Sequence, residues 1–258
     1  MQTNKPEVKS FGDYRDRDYL IVIPSKGRGR YIEQLPGLFP NGVIYVNETE
    51  LKDYSESGLP LIPHQITNGY GAVINGILRG CAEAGIRYAC VFDDDSNQFV
   101  SFVGNKPRRL DPFQAETVIA NDCQIMEDTG CRMICFSTAH HPLEYTQSVP
   151  YKIGCFIPQG AFIVRTDCGI TFTEHLIEST DLDFVLKLCR KHRYMIQDHR
   201  FVCVKKSAHQ EGGCNAQRTE ADRLASRQYL LNTWGRYISY RPNRHGKINP
   251  QITVKYRH

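Results

Sequence analysis

The chain has 258 residues and a net charge of +4, which fits one large domain or one domain with an appended segment. Hydrophobic residues make up 41% and charged residues 23%, and this balance excludes a wholly disordered chain. The first residues are polar and no apolar run reaches the roughly 18 residues of a membrane span, so we expect a cytoplasmic protein without a signal peptide.

The ten cysteines are spread from Cys81 to Cys214 without a C-x-x-C pair. The closest two, Cys131 and Cys135, have no partner pair at the spacing of zinc ligands. Most lie in apolar runs, where a free thiol behaves as a small hydrophobic side chain. We therefore expect buried, reduced thiols, which are typical of a reducing compartment.

Apolar runs and helical spacing predict the elements in chain order. Residues 1–18 are polar and are expected to form an arm. Continuous apolar runs predict buried strands at 19–25, 42–48, 59–65 and 88–92. Helices are predicted at 71–85, 111–130 and 180–192, with Asp111 and Thr180 as N-caps. Later strands or hairpins are predicted at 132–138, 155–166 and 194–206.

The alternation of strands and helices in the first half predicts an α/β fold with a mostly parallel central sheet flanked by helices. No linker interrupts the chain before about residue 215. We therefore predict one domain over 19–215, preceded by the arm at 1–18. Residues 216–258 are predicted to form a basic extension that packs on this domain or continues it.

Charged groups follow two of the predicted strands. The segment "PSKGRGR" brings Lys26 and Arg28 after the first strand, and "DDDSN" brings three aspartates after the fourth. The carboxyl ends of parallel strands meet at one edge, where α/β proteins bind ligands. Three adjacent carboxylates favour a hard divalent cation such as Mg²⁺ or Mn²⁺ between them. Strand alternation predicts that Asp93 and Asp95 share a face, while Asp94 points elsewhere; an acidic turn or a helix cap is the alternative.

Three stretches resemble the nucleotide-sugar half of GT-A type glycosyltransferases: "YLIVIPSKGR", "NGYGAVINGIL" and "YACVFDDDSN". The resemblance implies a GT-A fold and a nucleotide-sugar donor such as a UDP-sugar. It also implies that Asp93 and Asp95, in the D-x-D motif, bind Mn²⁺ or Mg²⁺ together with the donor diphosphate, with His209 as a third metal ligand. The implied donor-binding residues are Pro24, Ser25, Lys26, Arg28, Asn68, Asn75, Asp93, Asp94, Gly212 and Gly213.

The segment "ESTDLDFVLKL" resembles the acidic start of the helix that supplies the catalytic base in inverting members of this group. The resemblance implies that Asp181 deprotonates the acceptor hydroxyl, with Asp183 or Glu178 as the alternative base. Simple capping of the helix is the structural interpretation of the same acids.

The pattern of "IPSKGR", "FDDDSN" and a late glycine–tryptophan segment is similar to phage-type, TET-associated DNA glycosyltransferases that modify 5-hydroxymethylpyrimidines. This resemblance implies transfer of a hexosyl or pentosyl group to 5-hydroxymethylcytosine in DNA. Residues 236–258 contain four Arg, two Lys and no acid, which fits a DNA partner. The expected DNA contacts are Arg108, Arg109, Arg236, Arg241, Arg244 and Lys247.

Other interpretations of the sequence stay open. The basic residues are equally typical of a solvated surface. The same fold and acids fit a glycosyltransferase with a carbohydrate or protein acceptor, and also a nucleotidyltransferase that releases pyrophosphate. A nucleic-acid-binding module without catalytic activity is a further alternative. The oligomeric state is not predicted.

Overall fold

The structure is a computed structural model that describes residues 6–67, 69–103, 106–137, 149–206, 219–242 and 248–253. Six predicted site residues lie outside the described residues, namely Asn68, His209, Gly212, Gly213, Arg244 and Lys247.

The described chain contains the following helices and strands. The strands are β1 (Tyr19–Ser25), β2 (Val43–Asn47), β3 (Leu61–His64), β4 (Tyr88–Phe92), β5 (Ser96–Val103), β6 (Lys106–Arg109), β7 (Met133–Ser137), β8 (Tyr151–Gly154), β9 (Ala161–Arg165), β10 (Met195–Lys205), β11 (Ile238–Pro242) and β12 (Ile248–Ile252). The α-helices are α1 (Gly69–Glu83), α2 (Pro112–Thr129), α3 (Thr180–His192) and α4 (Glu220–Trp234). Two short 3₁₀ helices span Phe11–Tyr14 and Glu48–Tyr54.

One mixed sheet organises the molecule. Its order is β3-β2-β1-β4-β9-β7-β10-β5-β6, and β8 pairs with β10. Strands β1 to β4 are mutually parallel, and β7 and β10 are also parallel to each other. Strand β9 runs antiparallel to both β4 and β7, so those two run in the same direction. The predicted α/β fold with a mostly parallel central sheet flanked by helices is confirmed.

Helices cover both faces of the sheet. On one face, α1, α3 and α4 enclose a core that includes Ile77, Phe184 and Trp234. On the other face, α2 packs through Ile119 and Met126. Leu230 of α4 and Ile238 of β11 are buried in the first of these cores. Both C-terminal elements therefore pack against the central sheet and its helices.

The ends of the helices follow local sequence signals. Asp111 and Gln114 form a capping box at the start of α2, and Gly130 ends that helix with φ of 70°. Thr180 was predicted as the N-cap of α3, and this is wrong. The cap is Ser179 in a left-handed conformation, and its carbonyl accepts the N–H of Asp183.

Other local features complete the body. Val8, in the predicted arm, forms a parallel bridge with Leu61 beside β3. The nine described cysteines are free thiols, and all but Cys189 are buried, as predicted. No α-helix in the described ranges has the length and apolar character needed to cross a membrane.

Candidate active site

A cleft of about 1900 Å³ opens at the carboxyl ends of β1 to β4. Its other walls are the start of α1, the segment before α3, the first turns of α4 and the β11–β12 hairpin. The sheet edge therefore meets the C-terminal elements at one cavity, which is large enough for a nucleotide and a second ligand.

Asp93 is held in the cleft by three elements. Its N–H donates to the carbonyl of Gly160 at 2.8 Å, and the hydroxyl of Tyr70 donates to its Oδ1 at 3.3 Å. The ammonium of Lys205, at the end of β10, donates to Oδ2 of the same carboxylate. The same Nζ lies 3.6 Å from Oδ1 of Asp95. Lys205 therefore lies between the two carboxylates of the D-x-D motif.

Asp94 points to a different set of partners. It is only 6% exposed, and it accepts hydrogen bonds from Ser25 Oγ at 2.6 Å and from Arg28 Nη1 at 2.5 Å. The hydroxyl of Tyr54 lies 2.7 Å from Ser25 Oγ. Arg28 also lies 3.9 Å from Asp95. Arg28 thus pairs chiefly with Asp94, while Lys205 is shared by the other two acids.

The pKa values follow from this packing. Burial raises the pKa of both Asp93 and Asp94, and the hydrogen-bonded cations oppose that rise. Burial alone would lower the pKa of Lys205, but the adjacent Asp93 and Asp95 overcome it and raise the pKa to about 12. Lys205 therefore stays charged throughout the range in which proteins are stable.

The predicted metal site does not fit the described residues as they stand. Within the described ranges, no group of three His, Cys, Asp or Glu side chains is arranged to hold a metal ion. The carboxylate oxygens are suitable donors for a hard cation, but the ammonium of Lys205 fills the position between Asp93 and Asp95. A divalent ion at that position would have to displace Lys205.

The basic loop after β1 lies where the sequence predicts. Pro24, Ser25, Lys26 and Arg28 all line the cleft. Two backbone N–H groups of this loop already have partners, since Gly27 donates to Glu50 at 2.6 Å and Arg28 donates to the hydroxyl of Tyr54 at 3.1 Å. These two N–H groups are therefore not available to a phosphate, whereas the charged side chains of the loop line the cleft.

Asp181 lies on another wall of the cleft, in the first turn of α3. Its carboxylate accepts the N–H of Leu182 at 2.9 Å. Burial raises the pKa of Asp181 and the nearby charge of Asp93 raises it further, although the Leu182 hydrogen bond opposes both. Glu178 lines the same wall. Asp181 and Glu178 are thus two predicted catalytic residues that line the cleft.

Two residues predicted to act in catalysis or donor binding do not line the cleft. Asp183 is fully buried and accepts from Thr173 Oγ1 at 2.6 Å and Trp234 Nε1 at 2.8 Å, and it pairs with Lys187 at 2.7 Å. These contacts make it a link between α3 and α4. Asn75 exchanges hydrogen bonds with the backbone of Phe172 and donates to Glu174, which ties α1 to the loop before α3.

Sequence reasoning missed several residues of the cleft: Asn47, His64, Tyr70, Lys205, Arg227 and Tyr240. The first two end β2 and β3, and Lys205 ends β10. The rule that strand ends face the ligand, applied to every strand, finds these three. Tyr70, Arg227 and Tyr240 carry no comparable signal, because tertiary packing brings them to the cleft.

The described residues predicted to contact DNA are exposed and lie away from the cleft lining. Arg108 and Arg109 belong to β6, at the sheet edge opposite β3. Arg236 follows α4, and Arg241 lies on β11 beside Tyr240. Arg236 and Arg241 are therefore near the elements that line the cleft, whereas Arg108 and Arg109 belong to the β5–β6 hairpin.

Comparisons with solved structures give low similarity. The chain is similar to the mannose-1-phosphate geranyltransferase from Thermus thermophilus, with 12% identity, a TM-score of 0.33 and coverage of 73% of this chain and 57% of that one. It therefore spans little more than half of that protein. It is also similar to a nucleotide-diphospho-sugar transferase from Desulfovibrio desulfuricans, with 10% identity, a TM-score of 0.38 and coverage of 84% and 98%. No protein-family model and no curated protein matches the chain.

Proposed function

We propose that the chain is a glycosyltransferase of the GT-A type, which moves a sugar from a nucleotide-sugar to an acceptor hydroxyl. One observation carries the proposal. A single cleft holds fixed cations at one wall, Lys205 and Arg28, and a half-buried carboxylate with a raised pKa, Asp181, at the other. Transfer of a sugar needs both, because a diphosphate leaves with negative charge and a hydroxyl must lose its proton.

The donor is proposed to lie along the sheet edge. Its diphosphate would contact Lys205, Lys26 and Arg28, which line one part of the cleft. Its nucleoside would extend towards Asn47 and His64, at the ends of β2 and β3. Burial lowers the pKa of His64 to about 4, so its ring is neutral near pH 7. Because Nδ1 accepts the N–H of Ile66 at 3.1 Å, the Nε2–H group is the one that could donate to a base. This arrangement suits a UDP-sugar.

The chemical step follows from the two walls. Asp181 takes the proton of the acceptor hydroxyl, and the oxygen forms a bond to the anomeric carbon as the bond from that carbon to the diphosphate breaks. The nucleoside diphosphate leaves with the bonding electron pair, and the charged groups of Lys205 and Arg28 donate hydrogen bonds to its oxygens. Attack from the side opposite the leaving group inverts the anomeric configuration. No part of this step is assigned to a divalent ion.

The acceptor is proposed to be 5-hydroxymethylcytosine in DNA. Arg236 and Arg241 are exposed on the C-terminal elements, where they can contact phosphates. Arg227 lies over the ring of Tyr240 at 4.9 Å, and both line the cleft, which gives a flat surface for an extruded base. The base with its hydroxymethyl group is neutral, so it can enter the acid-rich side of the cleft near Asp181, which repels the phosphates of the DNA backbone.

A carbohydrate acceptor is the second candidate, and one observation favours it. The acceptor side of the cleft is rich in carboxylates, namely Glu174, Glu178, Asp181, Glu220 and Asp222. Acids that accept hydrogen bonds from hydroxyl groups are typical of sugar subsites. The same acids repel a phosphodiester backbone.

Mass spectrometry of acceptors tests these alternatives. The full chain is incubated with a panel of UDP-sugars and with 5-hydroxymethylcytosine DNA, unmodified DNA or a set of oligosaccharides. The proposal predicts a mass gain of one sugar on the hydroxymethylated DNA only, with release of UDP. A gain on oligosaccharides alone would select the second candidate. Release of pyrophosphate from a nucleoside triphosphate without sugar transfer would contradict both and indicate a nucleotidyltransferase.

Paired arginine variants test the path of the DNA. Replacing Arg236 and Arg241 with Ala should weaken DNA binding and flatten the plot of log K against log salt by about 0.9 for each lost phosphate contact. The double variant of Arg108 and Arg109 is the matched control on β6. If both double variants lost the same DNA affinity, the DNA would not be bound only by the C-terminal side of the cleft.

A further inference from the structure

The ammonium of Lys205 occupies the position that the sequence predicts for a metal ion. We propose that Lys205 is the built-in cation of this site, and that the chain binds and uses its donor diphosphate without a divalent metal. This inference rests on the proposed function for its donor, but the position of Lys205 can be tested without any donor.

The end of β10 is built to bring Lys205 to the acids. Strand β10 pairs with β5, and the register shifts between Val204 and Lys205, so that Lys205 is opposite Ser96. Such irregularities redirect side chains near functional sites. The next residue, Lys206, donates its N–H to the carbonyl of Asp95 at 2.7 Å. The strand end is thereby fixed directly on the acidic turn.

The protein's own cations offset two of the three negative charges of the acidic turn. Three carboxylates, Asp93, Asp94 and Asp95, face two cations, Lys205 and Arg28. A divalent ion within about 4 Å of the ammonium would meet strong like-charge repulsion. An ammonium has three donors, and the two carboxylates of Asp93 and Asp95 can take two of them. The third is then available to an oxygen of the diphosphate.

The D-x-D carboxylates gain a different role under this inference. They hold the ammonium of a half-buried lysine in its charged form instead of coordinating a metal. The position of Lys205 supports this role, because its side chain lines the cleft and is 27% exposed. Its charge can therefore act on a ligand while the acids keep it fixed.

Lys206 provides a matched control. Its side chain turns away from the acids and donates to the carbonyl of Tyr31 at 3.0 Å and to Glu33 at 3.0 Å. Lys205→Met and Lys206→Met therefore remove the same charge from adjacent positions. Lys205→Arg keeps the charge and serves as a variant expected to fold.

The first measurement is Mn²⁺ binding to the full chain without nucleotide, by electron paramagnetic resonance. We expect no binding below millimolar Mn²⁺ in the wild type, in Lys205→Arg or in Lys206→Met. Lys205→Met should bind at least 10-fold more tightly, and adding Asp95→Asn to it should abolish this gain. Micromolar binding by the wild type that Asp95→Asn removes would overturn the inference, whatever the protein catalyses.

The second measurement is UDP binding by calorimetry, in EDTA and in Mn²⁺. We expect the wild type and Lys206→Met to bind UDP equally well in both buffers, and Lys205→Met to lose at least 10-fold in EDTA. UDP binding by the wild type that requires Mn²⁺ would overturn the inference. If UDP binds in neither buffer, the proposed donor is wrong, while the Mn²⁺ measurement still decides the role of Lys205.

Discussion

The two walls of the cleft treat their carboxylates differently. The donor wall, which is proposed to bind the diphosphate, carries Asp93 and Asp94, each paired with a cation, Lys205 or Arg28. The acceptor wall, which is proposed to face the acceptor, carries Asp181, which accepts a backbone N–H. Burial raises the pKa of the acids on both walls. Both walls bury acids, so the difference lies in the partner that each acid receives.

This difference would suit the two tasks of the proposed group transfer. The donor wall has to present constant charge to a leaving diphosphate, and the ion pairs with their high lysine pKa keep that charge fixed. The acceptor wall has to take up a proton, and burial brings the pKa of Asp181 closer to neutral pH. The cleft thus separates a wall of fixed charge from a wall of changing protonation.

We expect the substitution of Asp181 to have the largest effect on sugar transfer. Asp181→Asn keeps the size of the side chain but removes the base, so sugar transfer should fall by about 10² to 10⁴-fold. UDP binding should stay within about 2-fold, since the donor wall is intact. Steady-state kinetics and calorimetry measure the two quantities. Glu178→Gln is the control on the same wall, and an equal loss there would assign the base to Glu178 instead.

A substitution at Asp183 should lower the stability of the protein without lowering its turnover. Asp183→Asn weakens the ion pair of the fully buried Asp183 with the partly exposed Lys187 and the contacts of Asp183 with Thr173 and Trp234, so the free energy of unfolding should fall by about 3 kcal/mol. Urea denaturation measures this change. Turnover per folded molecule at 25 °C should be nearly unchanged. A variant of normal stability that has lost turnover would return Asp183 to the catalytic candidates.

The sequence predicted the donor wall better than the acceptor wall, and the reason is physical. Apolar runs locate β1 and β4, and the charged residues that follow them must meet at the sheet edge. Lys205 could have been found as the end of a predicted strand, whereas α4, β11 and β12 reach the cleft only through long-range packing, which no local periodicity encodes. Asp181 and Asp183 are two residues apart, and the sequence alone does not distinguish their roles. In the fold, Asp183 is buried and accepts a hydrogen bond from Trp234, whereas Asp181 lines the cleft.

A substitution at Gly160 should disturb the donor wall by displacing the side chain of Asp93. It has φ of 76°, and a Cβ there would collide with the carboxylate of Asp93. Gly160→Ala must therefore displace this carboxylate, and with it Lys205, so we expect UDP affinity to fall by about 10-fold. Fluorescence titration with UDP measures the loss.

A matched control for Gly160 is Gly130→Ala. Gly130 has a similar φ of 70°, but nothing lies within 4 Å of its Cβ position. The Gly130→Ala variant should lose about 1 kcal/mol of stability through backbone strain and keep the UDP affinity of the wild type. Equal losses of UDP affinity in the two variants would show that strain, and not the position of Asp93, controls the donor wall.

The smallest expected effect is the coupling between the walls. The charge of Asp93 raises the pKa of Asp181, and Lys205 lowers it. Asp93→Asn removes the negative charge and leaves the ammonium, so the pKa of Asp181 should fall towards its ordinary value. Titration of the Asp181 carboxyl carbon by ¹³C NMR measures this without any need for activity. Glu33→Gln, which removes a carboxylate paired with Lys206 outside the cleft, should leave the titration unchanged. An upward shift in Asp93→Asn would mean that Asp93 acts on Asp181 through packing and not through its charge, and the two walls would then be electrostatically independent.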